Sequence, residues 1–354
     1  MTVNLQAQLE QLEAVILGRS DLDETQCRTA GQALIAEEVS VSAKKSFLAG
    51  LHEKGETPAE VAGFARFFRE LALNPGLDAY ASAAIDVVGT GGDRSGSFNV
   101  STATSFVLAS MGVPVFKHGN RSITSRSGSA DVLEALGIPL NAEPEVLLES
   151  MERLNFVFLF APAYHPAFKA VMPVRRELAS EGRKSVFNII GPLINPGRPA
   201  HQLLGVFSPA WVKPLAATLD AIPVKRGLVV HCRLSEDSGM DELSHVGENV
   251  VAGAGDWDAS HESGFRSLLQ AVGPGDVRGL AGGDAQDNMR MMHELLNGGG
   301  SADLVKTVCL NAGVALLVVG KVKDAHEGYA RVERVLQDGS VAAWLDEARS
   351  FYSA

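Results

Sequence analysis

Three short segments carry residue types that can do chemistry. Gly89-Thr90-Gly91-Gly92-Asp93 follows the apolar run Ala84 to Val88. Glycines there let backbone N–H groups approach an anion. A helix opening near Asn99-Val100-Ser101-Thr102 adds its positive N-terminus, its hydroxyls and an amide. The spacing is not the GxxxxGK(S/T) of a P-loop, nor the GxGxxG of a dinucleotide site. A tight strand–helix turn that only needs glycine would read the same way.

The second segment runs from Lys117-His118-Gly119-Asn120-Arg121-Ser122 through Ile123, Thr124 and Ser125 to Ser129. It holds three cations and five hydroxyls within thirteen residues. It follows a second apolar run, at the carboxyl end of a strand, where ligands bind in open α/β sheets. This composition suits a flap around a polyanion, and equally a solvated polar loop. The third segment is Gly239-Met240-Asp241-Glu242. Adjacent carboxylates on a loop suit magnesium, a hard cation that takes oxygen ligands and keeps several waters. An ordinary acidic turn has the same composition.

These segments need elements to position them. Leu5, Leu9, Leu12 and Ile16 recur at helical spacing, and a second helix is expected after Ser20. Thr57-Pro58-Ala59-Glu60 is a capping box with proline at the first helical position. Residues 1–75 therefore read as a small helical unit. After Asn74-Pro75-Gly76, strands over Ala84 to Val88 and Val113 to Phe116 flank a helix from Phe98 to Met111. That βαβ pattern predicts a parallel sheet. Strands at 156–160, 203–207 and 227–231 continue it, and helices from Leu304 onward end the chain. Gly253 to Gly255, Gly282-Gly283 and Gly298 to Gly300 are expected as turns. The predicted fold class is α/β: a small all-helical domain and a larger α/β domain with a mainly parallel central sheet. The helical domain takes 1–75 with a return segment at about 165–198. The phosphate-binding domain takes 76–164 and 199–354.

Bulk properties narrow the function classes. The chain has 354 residues and a net charge of −11, against the basic face that nucleic-acid binding needs. The N-terminus lacks the pattern of a signal peptide, and the run Val314 to Gly320 is too short to cross a bilayer. Neither nucleic acid nor membrane is expected as a partner. Cys27, Cys232 and Cys309 form no CxxC pair, which points to a reducing cytoplasm. His231 beside Cys232 lacks zinc-ligand company and reads as strand-end packing.

Together the segments resemble the anthranilate phosphoribosyltransferase family, with its GTGGD, NxST and KHGNR motifs. The likeness extends to Gly55-Glu56-Thr57, Asn155 to Pro166, Met172 to Arg175, Phe187-Asn188, Gly191 to Leu193, Asn195-Pro196 and Asn311 to Gly313. It covers nearly the whole chain. The resemblance implies a displacement at the anomeric carbon of phosphoribosyl pyrophosphate (PRPP), in which pyrophosphate leaves and the amine of anthranilate attacks. Gly89, Gly92 and Asp93 would hold PRPP through the turn. Ser97, Asn99, Val100, Ser101 and Thr102 would bind its pyrophosphate. Lys117, His118, Gly119, Asn120, Arg121, Ser122, Ile123, Thr124, Ser125 and Ser129 would close over it. Gly89, Asn120 and Arg175 would contact anthranilate, with His118 and His165 beside it. Ser101, Asp241 and Glu242 would hold Mg2+. No residue is expected as a general base, and the family is commonly a homodimer through its helical domain.

The chain departs from the family at three places. Ser97 stands where threonine is usual. The passage from Arg176 to Phe187 and the stretch His231 to Gly239 are both longer than the family's. These changes leave open a phosphoribosyltransferase of the same fold with another aromatic amine. A pyrimidine nucleoside phosphorylase would carry Lys-His-Ser in the second segment, and a nucleic-acid-binding paralogue would carry a basic surface and lost metal residues.

Overall fold

The computed structural model describes residues 4–93, 95–121 and 127–353. It opens with four helices, α1 (Leu5–Leu17), α2 (Glu24–Ile35), α3 (Val41–Lys54) and α4 (Pro58–Glu70). Two begin at capping boxes: Asp23 with Gln26 starts α2, and Thr57 with Glu60 starts α4. Each box satisfies backbone N–H groups that a helix start leaves open. Glu60 is fully buried and accepts hydrogen bonds from Leu22 N (2.9 Å), Lys54 Nζ (2.9 Å) and Thr57 N (2.8 Å), so one carboxylate ties three segments together. Leu9, Ile16, Phe47, Phe64 and Phe68 fill the space between the helices.

The short α5 (Asp78–Ala81) leads into alternating strands and helices: β1 (Ile85–Gly89), α6 (Val100–Ser110), β2 (Val115–Gly119), α7 (Ser129–Ala135), α8 (Pro144–Leu154) and β3 (Phe156–Phe160). Then α9 (Ala161–Tyr164), α10 (Met172–Ser180) and short 3-10 turns cross back over the helices. Val171, Val174, Leu178, Phe187, Ile190 and Leu193 of this segment join the same buried cluster as Phe64 and Phe68. The chain returns through β4 (His201–Gly205), α11 (Val212–Ala221), β5 (Arg226–Arg233), β6 (Gly239–Met240) and β7 (Glu248–Gly255). It closes with α12 (His261–Val272), α13 (Ala285–Leu296), α14 (Ala302–Val318), α15 (Ala325–Gln337) and α16 (Ser340–Ser353). Among the described residues no helix is long and apolar enough to cross a membrane.

Strands pair in the order β3-β2-β1-β4-β5, all parallel, while β6 and β7 both run antiparallel to β5. The mainly parallel sheet agrees with the sequence pattern. Two readings need correction. Gly253 to Gly255 form no free turn but end β7. A side chain at Gly253 would collide with the Trp257 ring, so glycine there serves close packing within a strand. The second strand also does not stop at Phe116. It continues through Lys117, His118 and Gly119, each paired with β3. The polar side chains that suggested a loop are buried in the sheet instead.

Candidate active site

The carboxyl ends of β1, β2 and β4 converge on one cleft of about 470 Å³. Gly91 and Gly92 leave β1 with φ of 64° and 77°, and the turn is held by Thr90, whose N–H donates to the Gly205 carbonyl (2.9 Å). The Thr90 hydroxyl accepts the Phe207 N–H (3.1 Å). Asp93 accepts Ser95 Oγ (2.7 Å), and Ser95 Oγ also lies 2.9 Å from Ser97 Oγ. The glycine turn therefore leads to the N-terminus of α6 through a ladder of short polar side chains.

At that N-terminus the expected residues divide. Asn99 and Ser101 line the cleft, whereas Val100 and Thr102 are fully buried and face the core. Ser101 N–H donates to Glu242 Oε1 (3.2 Å), so the acidic pair caps α6 from a loop 141 residues away. Asp241 accepts the Gly91 N–H at 2.9 Å, and its own N–H points to Asp93 Oδ2 at 3.4 Å. Burial, then the adjacent Asp93, pushes the Asp241 carboxyl above the usual aspartate range. Burial, then Asp241, pushes Glu242 well above its own, with Lys117 acting against the shift. Lys117 is 1% exposed and donates to the Val87 carbonyl (3.0 Å) and to Ser101 Oγ (3.4 Å). Burial pulls its ammonium down to about 8, opposed by Asp86, Glu242 and Asp241.

Beyond β2 the second segment divides too. Gly119, Asn120 and Ser129 line the cleft. Arg121 also reaches its rim, with its guanidinium paired to Glu134 (2.8 Å) and Asp131 (3.1 Å) of α7. Ser122, Ile123, Thr124 and Ser125 lie outside the described residues. His118 lines the cleft but its ring is buried, 5.2 Å from the buried His165 ring. Burial holds the two imidazoles down to about 3 and about 4. His165 itself packs on Phe168 and is not among the cleft residues.

The opposite wall comes from α10 and the segment after it. Arg175 stands 5.8 Å from the Phe187 ring centroid, and burial lowers its pKa. Among the described residues no carboxylate pairs with it. Arg176, Arg183 and Lys184 also line this wall, with Lys184 Nζ 3.6 Å above the Phe207 ring. One wall therefore carries hydroxyls, N–H groups and carboxylates, and the other carries cations and aromatic rings.

Several residues of this site went unnoticed in the sequence. Asp86 is fully buried beneath the cleft, where its Oδ2 accepts Asn195 Nδ2 (2.8 Å) and its Oδ1 accepts the His118 N–H (3.3 Å). Burial pushes its carboxyl up to about 7, against the Asn195 amide and Lys117. A lone aspartate inside the apolar run Ala-Ile-Asp-Val-Val was the available signal, because a buried charge needs partners. Asn288 reaches Asn99 from α13 and had no local signal.

Comparison with known proteins agrees with this arrangement. Residues 10–72 match the helical bundle domain of the glycosyl transferase family, and residues 81–342 match its a/b domain. The anthranilate phosphoribosyltransferase of Deinococcus radiodurans is 42% identical over 82% of this chain and 83% of its own. That of Thermus thermophilus is 39% identical over 98% of this chain and 100% of its own. The crystal structure of a T. thermophilus anthranilate phosphoribosyltransferase superposes with a TM-score of 0.84 at 38% identity, covering 97% of this chain and 99% of that one. The Saccharomyces cerevisiae enzyme in complex with PRPP and Mg shares the fold, with a TM-score of 0.80 at 22% identity over 98% of each chain. With both domains matched in order and such relatives spanning nearly its whole length, the chain belongs to the glycosyl transferase family, among the anthranilate phosphoribosyltransferases.

Proposed function

We propose that this protein transfers the phosphoribosyl group of PRPP to the amine of anthranilate and releases pyrophosphate, a step of tryptophan biosynthesis. The observation that carries this reading is the two-walled cleft. An anion-binding turn, a helix N-terminus and an acidic pair face Arg175 and Phe187 across it. The bond from the anomeric carbon to the pyrophosphate oxygen breaks, a bond to the amine nitrogen forms, and the amine gives up a proton.

On the donor side, Gly89, Gly92 and Asp93 hold PRPP, and Ser97, Asn99 and Ser101 take its pyrophosphate. Val100 and Thr102 turn their side chains into the core and donate their N–H groups to the Phe98 and Asn99 carbonyls, so they contribute through the positive end of α6. Lys117, held in β2, adds fixed positive charge beneath the departing group. Gly119, Asn120, Arg121 and Ser129 complete the enclosure. On the acceptor side, Asn120 and Arg175 orient anthranilate, with the Arg175 guanidinium forming a fork with its carboxylate. His118 and His165 shape the floor as neutral rings. An aniline-type amine is mostly unprotonated at neutral pH, so orientation contributes more than proton removal.

Magnesium fits the acidic end of this site. Buried Asp241 and Glu242 repel one another beside Asp93, and a cation between them offsets that cost. Among the described residues no three His, Cys, Asp or Glu side chains form a cage. That matches a metal which completes its shell with water and substrate oxygens. Ser101, Asp241 and Glu242 would hold it. When bound, the metal supplies positive charge to the leaving pyrophosphate.

We assign the domains as 1–75 with 165–198, and 76–164 with 199–354. We assign the protein to the cytoplasm, which its free buried cysteines suit, and to a homodimer through the helical domain. Sedimentation equilibrium tests the dimer. A magnesium-dependent assay with PRPP and anthranilate tests the reaction by loss of anthranilate emission. Rapid loss is expected. No loss with PRPP bound, measured calorimetrically, would move the acceptor to another aromatic amine, a reading favoured by the added cations Arg176, Arg183 and Lys184. No loss and no PRPP binding would overturn the donor assignment.

A further inference from the structure

Asparagine is among the best N-cap residues because its side-chain oxygen accepts an N–H from the first turn of its own helix. Asn99 occupies the N-cap of α6 and makes no such bond. Its Oδ1 instead accepts Asn288 Nδ2 at 2.8 Å, and its own Nδ2 donates to the Ser127 carbonyl at 3.3 Å. The Asn288 amide is committed at both ends, since its Oδ1 accepts the Gly283 N–H at 2.8 Å. Asn288 is 2% exposed and lies in the first turn of α13, behind the capping box of Asp284 and Asp287. The segment before α13 is laced to the donor turn: Phe98 N–H donates to the Leu280 carbonyl (2.8 Å) and Gly282 N–H to the Gly96 carbonyl (2.9 Å).

We infer that Asn288 is a positioning residue for the pyrophosphate site: by holding Asn99 Oδ1 it turns the Asn99 Nδ2 donor, not the carbonyl oxygen, toward the cleft that Asn99 and Ser127 line. The Ser101 N–H already donates to Glu242 Oε1 and the Thr102 N–H to the Asn99 carbonyl, so a released Asn99 amide would find no donor in its own helix and would flip its Oδ1 toward the cleft. That flip would withdraw the Nδ2 donor from the anion and set a carbonyl oxygen where phosphate oxygens dock. The site would exchange a donor for an acceptor. This inference rests on the reading of the α6 N-terminus as the pyrophosphate site.

The test is calorimetric titration of the full-length protein with pyrophosphate and magnesium. It compares wild type, Asn288→Ala, Asn99→Ala and the double variant. Asn288→Ala should weaken pyrophosphate about tenfold, equivalent to about 1.4 kcal/mol. It should raise the KM for PRPP similarly and leave the KM for anthranilate unchanged. In the Asn99→Ala background the same change should have no further effect, because the pair acts as one unit. If Asn288→Ala does not fold, Asn288→Asp replaces it in the same cycle, since it keeps the Gly283 acceptor and loses the donor to Asn99. Wild-type pyrophosphate affinity in the position-288 variant would overturn the inference, and so would equal losses with and without Asn99. A wild-type protein that binds no pyrophosphate would instead overturn the donor assignment on which the inference stands.

Discussion

Asp241 accepts the backbone N–H of Gly91 through Oδ2 at 2.9 Å, across 150 residues of sequence. The contact is part of a tight seat. The Asp241 carbonyl lies where a Cβ on Gly205 would stand, and its carboxylate lies where one on Gly89 would stand. The ends of β1 and β4 and the acidic loop thus pack as one unit, which fixes the distance from the glycine turn to the carboxylates.

Gly205→Ala should unseat that loop. The colliding atom belongs to backbone, so no side chain can rotate out of the way. Overpacking of this kind costs about 1–3 kcal/mol. Chemical denaturation should show that loss, and turnover should fall with it. A variant with the wild-type midpoint and turnover would show that the seat does not matter.

Joint replacement of Asp241 and Glu242 by alanine should cut turnover about a thousandfold at ordinary magnesium, matching several kcal/mol of charge stabilisation. Chelation of magnesium should do the same to wild type, and added magnesium should restore only wild type. Direct Mn2+ binding provides a second readout, because the double variant should lose it. Wild-type rates in the variant would remove the metal role.

His118 and His165 set an acid limit on stability. Burial holds their imidazoles at about 3 and about 4, below the ordinary 6.5. Below pH 6.5 the unfolded chain takes up protons that the folded chain refuses. Their contribution is therefore complete above pH 6.5 and is lost as pH falls toward 4. His165→Asn should lose less stability between pH 7 and pH 5 than wild type does, measured by urea midpoints. Equal slopes would show that His165 titrates freely. The same shifts keep both rings neutral near pH 7.

Glu60 should be the most sensitive single position of the helical bundle. It is fully buried and bonds Lys54, which is itself nearly inaccessible. Glu60→Ala leaves two backbone N–H groups without their acceptor and leaves the Lys54 ammonium with only Asp21 and the Gly55 carbonyl. Each buried donor left without an acceptor costs about 1–3 kcal/mol. A thermal scan showing less than about 1 kcal/mol of loss would place the stabilisation elsewhere.

What the sequence revealed of this site follows the range of each interaction. The capping box at Thr57 and Glu60 was legible because both partners lie within one turn. The Gly89–Asp93 segment is legible as a glycine turn at a strand's carboxyl end, since glycine density and strand position are local. Asp241 and Glu242 were legible only through the family resemblance, because a bare acidic pair fits any turn. Lys117 and His118 were read as the start of a loop, and the structure buries them in β2, where Asp86 and Val87 supply their partners from the next strand. Asn195 and Asn288 bond residues 109 and 189 positions away. No pattern of neighbouring residues encodes such contacts.

Arg175 carries the strongest prediction about the acceptor. Its guanidinium faces the cleft beside Phe187, and among the described residues no carboxylate neutralises it. An aromatic acid can supply both the missing charge and a ring for that aromatic wall. A hydrogen-bonded charge of this kind is worth about 1.5–3 kcal/mol, so Arg175→Ala should raise the KM for anthranilate about ten- to a hundredfold. PRPP binding should stay near wild type, because the donor wall is built from other elements. Lys184→Ala tests a second cation of the same wall, since its ammonium lies on the Phe207 ring and its removal leaves Arg175 beside Phe187 in place. If Arg175→Ala leaves acceptor kinetics unchanged while Lys184→Ala raises the KM, the carboxylate binds to the longer segment and not to α10. Unchanged kinetics in both would mean that the acceptor is held without either cation.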